Sequence, residues 1–167
     1  MTVQNIILYP DPLLKVVCDR ARPEDQRVLS LIADLIDTMR AGRGSVGIAA
    51  PQIGMTLRVC VVDVSAHKLG KESHGLLVLV NPEILSRQGA GIMREGCMSV
   101  PDYTGDVERA QHVSIRFADM LGGVREIEAN GFEAVAIQHE IDHLDGILFL
   151  DRVTSVKTGL FRRKNYR

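Results

Sequence analysis

The segment Gln138-His139-Glu140-Ile141-Asp142-His143 contains an HExxH motif near the C-terminal end of the chain. The pattern around this motif predicts a helix over residues 131–145. The side chains that recur there at intervals of three and four positions are Phe132, Val135, Ala136, His139 and His143. Two histidines four positions apart project from one face of a helix, so they can bind a divalent cation with Glu140 beside it.

Residues at the ends of this helix support the prediction. Asn130 is suited to the N-cap, and Glu133 stands three positions later, as in a capping box. Gly146 is suited to the position after the C-cap. Asp142 and Asp145 fall in the last turn, where the helix dipole disfavours negative charge, so we expect them to have partners. The alternative is an amphipathic helix whose histidines form hydrogen bonds inside the core.

The composition is that of an ordinary globular protein. The chain has 167 residues, 46% of them hydrophobic and 25% charged, which predicts one domain over residues 1–167. A net charge of -1 argues against a DNA-binding role. Three cysteines without short spacing favour a reducing compartment over a disulfide framework. The first ten residues lack the features of a signal peptide, and no stretch is suited to span a membrane, so we expect a cytoplasmic protein.

The rest of the sequence predicts a second helix and several strands. The helix is predicted over residues 23–39, with Pro23, Glu24 and Asp25 in its first turn and Gly42 and Gly44 after its end. Strands are predicted at residues 58–64, 76–80, 113–117 and 124–129, with a turn at Gly122-Gly123. A short strand is predicted at residues 147–150, and a glycine- and alanine-rich loop at 45–54. Helices with antiparallel strands make an α+β domain.

A metal site needs at least one protein ligand besides the two histidines. Downstream of His143 the chain offers only Asp145 and Asp151 as plausible ligands. Upstream, Cys97 is the best candidate, because a thiolate binds zinc or ferrous iron strongly and Gly96 allows close approach of backbone. The alternative for Cys97 is a small buried hydrophobic residue.

The other cysteines and histidines are predicted to have no part in the site. We expect Cys18 and Cys60 to be buried as small apolar side chains. We expect His67, His74 and His112 to lie at the surface.

Three separated segments resemble the signatures of the peptide deformylase family in order and spacing: Gly47-Ile48-Ala49-Ala50-Pro51-Gln52, Glu95-Gly96-Cys97-Met98-Ser99 and the HExxH segment. The resemblance extends over essentially the whole chain. It departs from the family at Ser45, where glycine is usual, and at Met98, where leucine is commoner. The resemblance implies antiparallel sheets packed around the HExxH helix, and removal of the formyl group from formyl-methionyl nascent peptides with release of formate.

The resemblance also implies roles for individual residues. Cys97, His139 and His143 would bind one divalent metal, generally Fe2+ in the family, with Zn2+, Ni2+ or Co2+ able to substitute. Glu140 would act as the acid and base. Gln52 and the backbone N–H of Met98 would stabilise the oxyanion. It implies as well an ion pair between Glu95 and Arg109.

We expect the substrate site to combine an apolar pocket with exposed backbone of the enzyme that can pair with a peptide. We hypothesise that an extended peptide pairs with Val46 and Gly47, with Gly96 allowing backbone approach on the metal side. By resemblance, the methionine side chain would be bound by Val46, Met93, Phe132, Val135 and Ala136. Asp142 would orient a ligand, pair with an arginine or face solvent.

Alternatives to a deformylase remain open at this level. One is a general HExxH endopeptidase, although these often take a ligand from downstream. Another is a non-catalytic protein that binds metal or peptide. Gln52 could also be a surface amide. The basic tail, residues 157–167, is predicted to be frayed, with contact to ribosomal RNA near the exit tunnel as the alternative.

Overall fold

A computed structural model describes residues 2–163, which form two antiparallel sheets and a small number of helices. The α-helices are α1 (Gln26–Ala41), α2 (Gly131–Leu144) and α3 (Phe149–Arg152), and short 3-10 helices span Pro12–Lys15 and Ala50–Ile53. The strands are β1 (Gly47–Ala49), β2 (Val59–Val62), β3 (Leu77–Gln88), β4 (Gly91–Cys97), β5 (Val100–Arg109), β6 (His112–Ala118), β7 (Val124–Asn130) and β8 (Leu160–Arg162). One sheet has the order β1-β2-β3-β6-β7 and the other β4-β5-β8. The α+β class predicted from the sequence is confirmed.

Helices α1 and α2 cover opposite faces of the five-stranded sheet. Strand β2 shows why, because all four of its side chains are buried. Val59 and Val61 pack with the apolar side of α1, whereas Cys60 and Val62 pack with α2. Successive side chains of a strand point to opposite faces, so this continuous apolar run requires a helix on each side. Helix α2 is therefore buried along most of its length.

The three-stranded sheet has a separate small core. Cys97, Val100 and Val107 pack there against Phe149 of α3. Strand β4 ends at Cys97, where the pairing with β5 shifts register between Gly96 and Cys97. This irregularity places the end of β4 beside α2, so the second sheet delivers one side chain to the HExxH helix.

Several predicted boundaries are wrong, each for a local reason. Helix α1 starts three residues late, because Asp25 is its extended N-cap and its carboxylate accepts the N–H of Arg27 at 2.9 Å. The loop predicted at 45–54 contains β1 and a 3-10 helix. Residues 147–150 do not form a strand, since α3 begins at Phe149. Residues 160–162 of the tail are paired with β5 and are not frayed, whereas residues 164–167 lie outside the described residues.

The capping box predicted for α2 is also wrong. Asn130 is the N-cap, but its side chain makes no capping hydrogen bond and its Oδ1 atom lies 2.6 Å from Nδ1 of His112. The Glu133 carboxylate accepts the backbone N–H of His74 and contacts Nδ1 of the same residue, both at 2.8 Å. At the other end, Gly146 follows the Asp145 C-cap with φ of 71°, as expected for a left-handed glycine.

Asn81 joins β3 to the segment that precedes α1. It has a positive φ of 52°, which is unusual for a residue with a side chain. Its Oδ1 accepts the Ala21 N–H and its Nδ2 donates to the Ala21 carbonyl, both at 2.8 Å. The side chain therefore mimics a strand neighbour for Ala21.

We predict that Asn81→Ala lowers the free energy of unfolding by about 3 kcal/mol, because two hydrogen bonds are lost and left-handed strain is added. Asn81→Gly is the matched control, because it removes the same hydrogen bonds without the strain. It should be less destabilising than alanine by about 1 kcal/mol. Urea denaturation measures both, and equal losses below about 1 kcal/mol would contradict the assignment.

Candidate metal centre

The structure brings Cys97, His139 and His143 together, with ligand atoms that all lie within 4.8 Å of one another. Sγ of Cys97 is 3.2 Å from Nε2 of His143. The two histidines come from α2 and the cysteine from the end of β4, as the hypothesis of an upstream third ligand required. The alternative ligands are used elsewhere: Asp145 pairs with Arg58 at 2.6 Å, and Asp151 pairs with Lys15.

Cys18 and Cys60 are buried and free, as predicted. Burial raises the pKa of Cys18 to about 11 despite the opposing effect of Arg58, and it raises that of Cys60 well above its usual value. Both side chains therefore remain thiols. His74 and His112 are exposed as predicted, whereas His67 is only half exposed.

The donor set fits a divalent cation. A thiolate and imidazole nitrogens suit zinc or ferrous iron, and metal binding requires neutral imidazoles. Burial lowers the pKa of His143 well below its usual value, which favours the neutral ring. Burial also disfavours the charged form of His139, but hydrogen bonds with Cys97 and Glu95 raise the pKa of His139 well above its usual value. A cation between these atoms would compete with the proton on His139.

Glu140 lies against the backbone of β1. A Cβ atom at Gly47 would be about 2.5 Å from Oε1 of Glu140, so only glycine leaves room for this carboxylate. Within residues 2–163, Oε2 of Glu140 and Nδ1 of His143 are buried without a hydrogen-bond partner. Burial raises the pKa of Glu140 to about 7. Of these two atoms, Oε2 of Glu140 belongs to a carboxylate whose buried charge a cation at the candidate ligand group would offset, whereas Nδ1 of His143 is the ring nitrogen that does not contact Cys97.

A buried network of charged side chains holds His139 through its Nδ1 atom. Glu95 contacts Nδ1 of His139 at 2.8 Å and receives two hydrogen bonds from Arg109, at 2.7 and 3.0 Å. Burial raises the pKa of Glu95, but the hydrogen bonds from His139 and Arg109 outweigh it and lower the pKa to about 2. The predicted pair of Glu95 and Arg109 is thus confirmed, and Nδ1 of His139 is engaged so that Nε2 faces the site.

Asp142 belongs to the same network, and its partners account for an acidic residue in the last turn of α2. Its carboxylate contacts Nη1 of Arg109 at 2.5 Å and Nε of Arg152 at 2.6 Å. Two guanidinium groups therefore offset the unfavourable position at the helix C-terminus. Of the alternatives for Asp142, pairing with arginine is the one that the structure contains.

Gln52 is buried beside Cys97 and is not a surface amide. Its Oε1 accepts the Ala49 N–H at 2.9 Å, which fixes the orientation of the amide. Its Nε2 lies 3.4 Å from Sγ of Cys97 and 3.2 Å from Oγ of Ser99. The amide nitrogen therefore faces the metal-ligating group.

An open groove of about 280 Å³ lies over the site. Its lining includes Gln52, Cys97, Met98, His139 and Glu140, together with every residue expected to bind substrate: Val46, Gly47, Met93, Gly96, Phe132, Val135 and Ala136. Ser45 also lines it, and its hydroxyl donates to the Gly47 carbonyl at 3.1 Å. His67 stacks on Phe132 with ring centroids 4.3 Å apart.

Six groove residues were not assigned to the site by the sequence analysis: Arg43, Gly44, Ser45, Arg94, Thr104 and Arg163. They lie outside the three motifs. Thr104 reaches the groove because it pairs with Gly96 across β4 and β5, and Arg163 reaches it because β8 pairs with β5. No local sequence signal identifies them.

None of the helices in the described part of the chain is both long enough and apolar enough to cross a membrane.

The HExxH helix, with a buried cysteine beside its histidines at the base of a groove, defines the class as a metal-dependent hydrolase. A family model described as polypeptide deformylase matches residues 3–159. The chain belongs to this family, whose members remove the N-terminal formyl group of formyl-methionyl chains. This assignment favours deformylation over the endopeptidase and non-catalytic alternatives.

Relatives and solved structures agree with the family assignment. The chain is 42% identical over 164 residues to a peptide deformylase of Syntrophobacter fumaroxidans, covering 98% of this chain and 94% of the relative. It is 46% identical over 156 residues to that of Heliobacterium modesticaldum, covering 92% and 95%. A crystal structure of the Thermotoga maritima enzyme has a TM-score of 0.84 at 31% identity, covering 93% and 100%.

A second solved structure, the Acinetobacter baumannii enzyme with Met-Ala-Ser bound, has a TM-score of 0.84 at 34% identity. The match covers 91% of this chain and 99% of that one. The two sheets and the helix between them are therefore the fold of the family.

We predict that Arg109→Met lowers the free energy of unfolding by about 3–5 kcal/mol, because it leaves the buried carboxylates of Glu95 and Asp142 without their shared cation. Arg116→Met is the control, since Arg116 forms an exposed pair with Glu126 at 2.7 Å. It should cost less than about 1 kcal/mol. Chemical denaturation compares the two, and equal stabilities would show that the network does not hold α2 and β4 together.

Proposed function

We propose that this protein deformylates formyl-methionyl peptides at a single divalent cation held by Cys97, His139 and His143. The observation that carries the proposal is the convergence of their ligand atoms within 4.8 Å, beside Glu140, at the base of an open groove. Water and the formyl amide are converted to formate and a free amino terminus. The whole chain, residues 1–167, acts as one catalytic domain.

The metal in the cell is ferrous iron, with Zn2+, Ni2+ or Co2+ able to replace it. One thiolate and two neutral imidazoles suit all of these ions, and the resemblance to the family favours iron. When bound, the cation supplies Lewis-acid activation of water and of the formyl carbonyl. Glu95 supports the site from outside, because its hydrogen bond to Nδ1 of His139 leaves Nε2 free to ligate.

Glu140 acts as the base and then as the acid. Its carboxylate adjoins the ligand His139 and lies against Gly47, where the substrate backbone is expected. Burial, which raises the pKa of Glu140 to about 7, makes this carboxylate a better proton acceptor than an exposed one. Glu140 takes a proton from the attacking water and delivers it to the departing amine nitrogen.

Gln52 and the backbone N–H of Met98 stabilise the oxyanion that develops on the formyl oxygen. The Gln52 amide is held by Ala49, so its nitrogen is directed at Cys97 before substrate arrives. A donor fixed in this way costs no reorganisation during the reaction, and one such donor is worth about 3 kcal/mol in other enzymes.

The substrate peptide binds in extended form along the free edge of β1. Within residues 2–163, β1 is the terminal strand of its sheet and pairs with β2 alone, so Val46 and Gly47 can pair with a peptide. Gly96 offers backbone on the other wall of the groove. The bound Met-Ala-Ser of the Acinetobacter relative supports a peptide as the ligand of this groove.

The methionine side chain of the substrate occupies the apolar part of the groove. That part is lined by Val46, Met93, Phe132, Val135 and Ala136. The last three lie on the face of α2 that carries His139, so the methionine is held next to the reacting carbonyl.

The protein acts in the cytoplasm on nascent chains near the ribosome. Formyl-methionine is present at the start of chains as they emerge, which places the substrate there. Of the basic residues in the tail, Lys157 and Arg162 fit contact with ribosomal RNA, whereas Arg163 lines the groove and Lys164 and Arg167 lie outside the described residues.

We predict that Glu140→Gln retains the metal but lowers kcat for formyl-Met-Ala-Ser by at least about 10³-fold, because the amide cannot accept the proton. Formate release measures the rate under anaerobic conditions, and elemental analysis measures the metal. Glu133→Gln is the control, since this buried glutamate lies on the same helix but contacts His74. A Glu140→Gln rate within tenfold of the wild type would refute the role of Glu140.

We also predict that removing the cation with a chelator abolishes formate release and that adding Fe2+ or Ni2+ restores it. Cys97→Ser should lower metal occupancy at equal cation concentration, because a serine hydroxyl is a poor ligand for these ions. Cys18→Ser serves as the control cysteine, since Cys18 is also buried but does not belong to the candidate ligand group. Full metal content in Cys97→Ser would exclude the sulfur as a ligand.

A further inference from the structure

Two arginines stand at the rim of the groove on different walls. Arg43 lies in the segment between α1 and β1, and Arg163 follows β8. Both side chains line the groove, and both residues are exposed. Neither belongs to the metal-ligating group or to the apolar part of the groove.

Neither guanidinium forms an ion pair with a carboxylate within residues 2–163. Arg94, the third arginine of the groove, differs from them. It pairs with Asp106 at 2.7 Å and covers the ring of Phe161 at 3.4 Å from the centroid. Among the described residues, no carboxylate neutralises Arg43 or Arg163, so both positive charges can act on a ligand in the groove.

Arg163 is held in place by the three-stranded sheet. Its backbone N–H donates to the Asp102 carbonyl at 2.7 Å, and the preceding Arg162 pairs with Tyr103. Its guanidinium lies against Gly96, in the space that a side chain at position 96 would occupy. Gly96 immediately precedes Cys97, so this positive charge borders the path of the peptide.

The direction of the peptide follows from Glu140. This carboxylate contacts Gly47, so the formyl end lies beside Gly47 and the chain continues past Val46 towards Arg43. Residues that follow methionine therefore reach the part of the groove between the two guanidinium groups. Glu95 and Asp106 do not cancel this charge, because Glu95 is bound by Arg109 and Asp106 by Arg94. Glu140 also lines the groove, but it lies at the formyl end, against Gly47.

We infer that this groove selects formyl-methionyl peptides with an acidic side chain at the second or third residue. The inference rests on the proposed function and adds the class of sequence that the enzyme prefers. A carboxylate there would lie near two guanidinium groups, whereas a lysine would be repelled by both. The effect is a matter of binding, so it should appear in KM rather than in kcat.

The test compares amidated peptides, which lack a competing C-terminal carboxylate. Formyl-Met-Ala-Asp-amide, formyl-Met-Ala-Asn-amide and formyl-Met-Ala-Lys-amide are compared, together with the set that varies the second residue. At low salt we expect kcat/KM to be about fivefold higher for aspartate than for asparagine, and lower still for lysine, because exposed ion pairs stabilise weakly. The preference should decline in high salt.

Variants of the two arginines test whether Arg43 and Arg163 cause the preference for an acidic side chain. Arg43→Gln and Arg163→Gln should each reduce the ratio of aspartate to asparagine, and the double variant should bring it close to one. Arg116→Gln, in β6 and outside the groove lining, should keep the wild-type ratio. A ratio of one in the wild-type enzyme, or a ratio unchanged in the double variant, would overturn this inference while deformylation stands. If the enzyme released formate from none of the peptides, the proposed function itself would be overturned.

Discussion

The sulfur of Cys97 lies 3.2 Å from Nε2 of His143, and this contact joins two separately built parts of the molecule. Strand β4 belongs to the three-stranded sheet, whereas α2 is packed on the five-stranded sheet. The candidate ligand group forms only if both sheets hold their positions. Two features of the second sheet hold Cys97 for this contact. Cys97 packs in the small core around Phe149, and the register of β4 against β5 shifts between Gly96 and Cys97.

Buried charge is the second part of this support, and it carries a thermodynamic cost. Glu95, Arg109 and Asp142 are each nearly inaccessible to water, and such groups are stabilising only when fully paired. Here each carboxylate has a guanidinium partner, and Glu95 also orients His139. A core of apolar residues would give similar stability but could not fix the tautomer of a ligand. Compared with apolar residues in its place, the network therefore adds positioning of the site, whereas losing a single member is destabilising because buried charge remains unpaired.

The sequence predicted the parts of the structure whose signals are local. Helix α2 was predicted from apolar residues and histidines at helical spacing, although it is buried on nearly all sides. The HExxH segment and Cys97 indicated the candidate ligand group, because few residue types can bind such a cation. Strands β4 and β5 were missed, since segments such as Gly91–Cys97 mix charges and glycines and are only partly buried. Residues 147–150 are apolar, as in a strand, but the short helix α3 begins at Phe149. Its side chain packs in the core of the three-stranded sheet. The rim arginines depend on tertiary pairing, which no local pattern encodes.

The central claim is that one sulfur and two imidazoles from distant parts of the chain bind the same cation. X-ray absorption spectroscopy of the zinc-loaded protein tests it most directly, because sulfur and nitrogen scatter differently in the first coordination shell. The account predicts one sulfur together with histidine nitrogens in the wild-type protein, and loss of the sulfur in Cys97→Ser. A first shell without sulfur in the wild-type protein would contradict it.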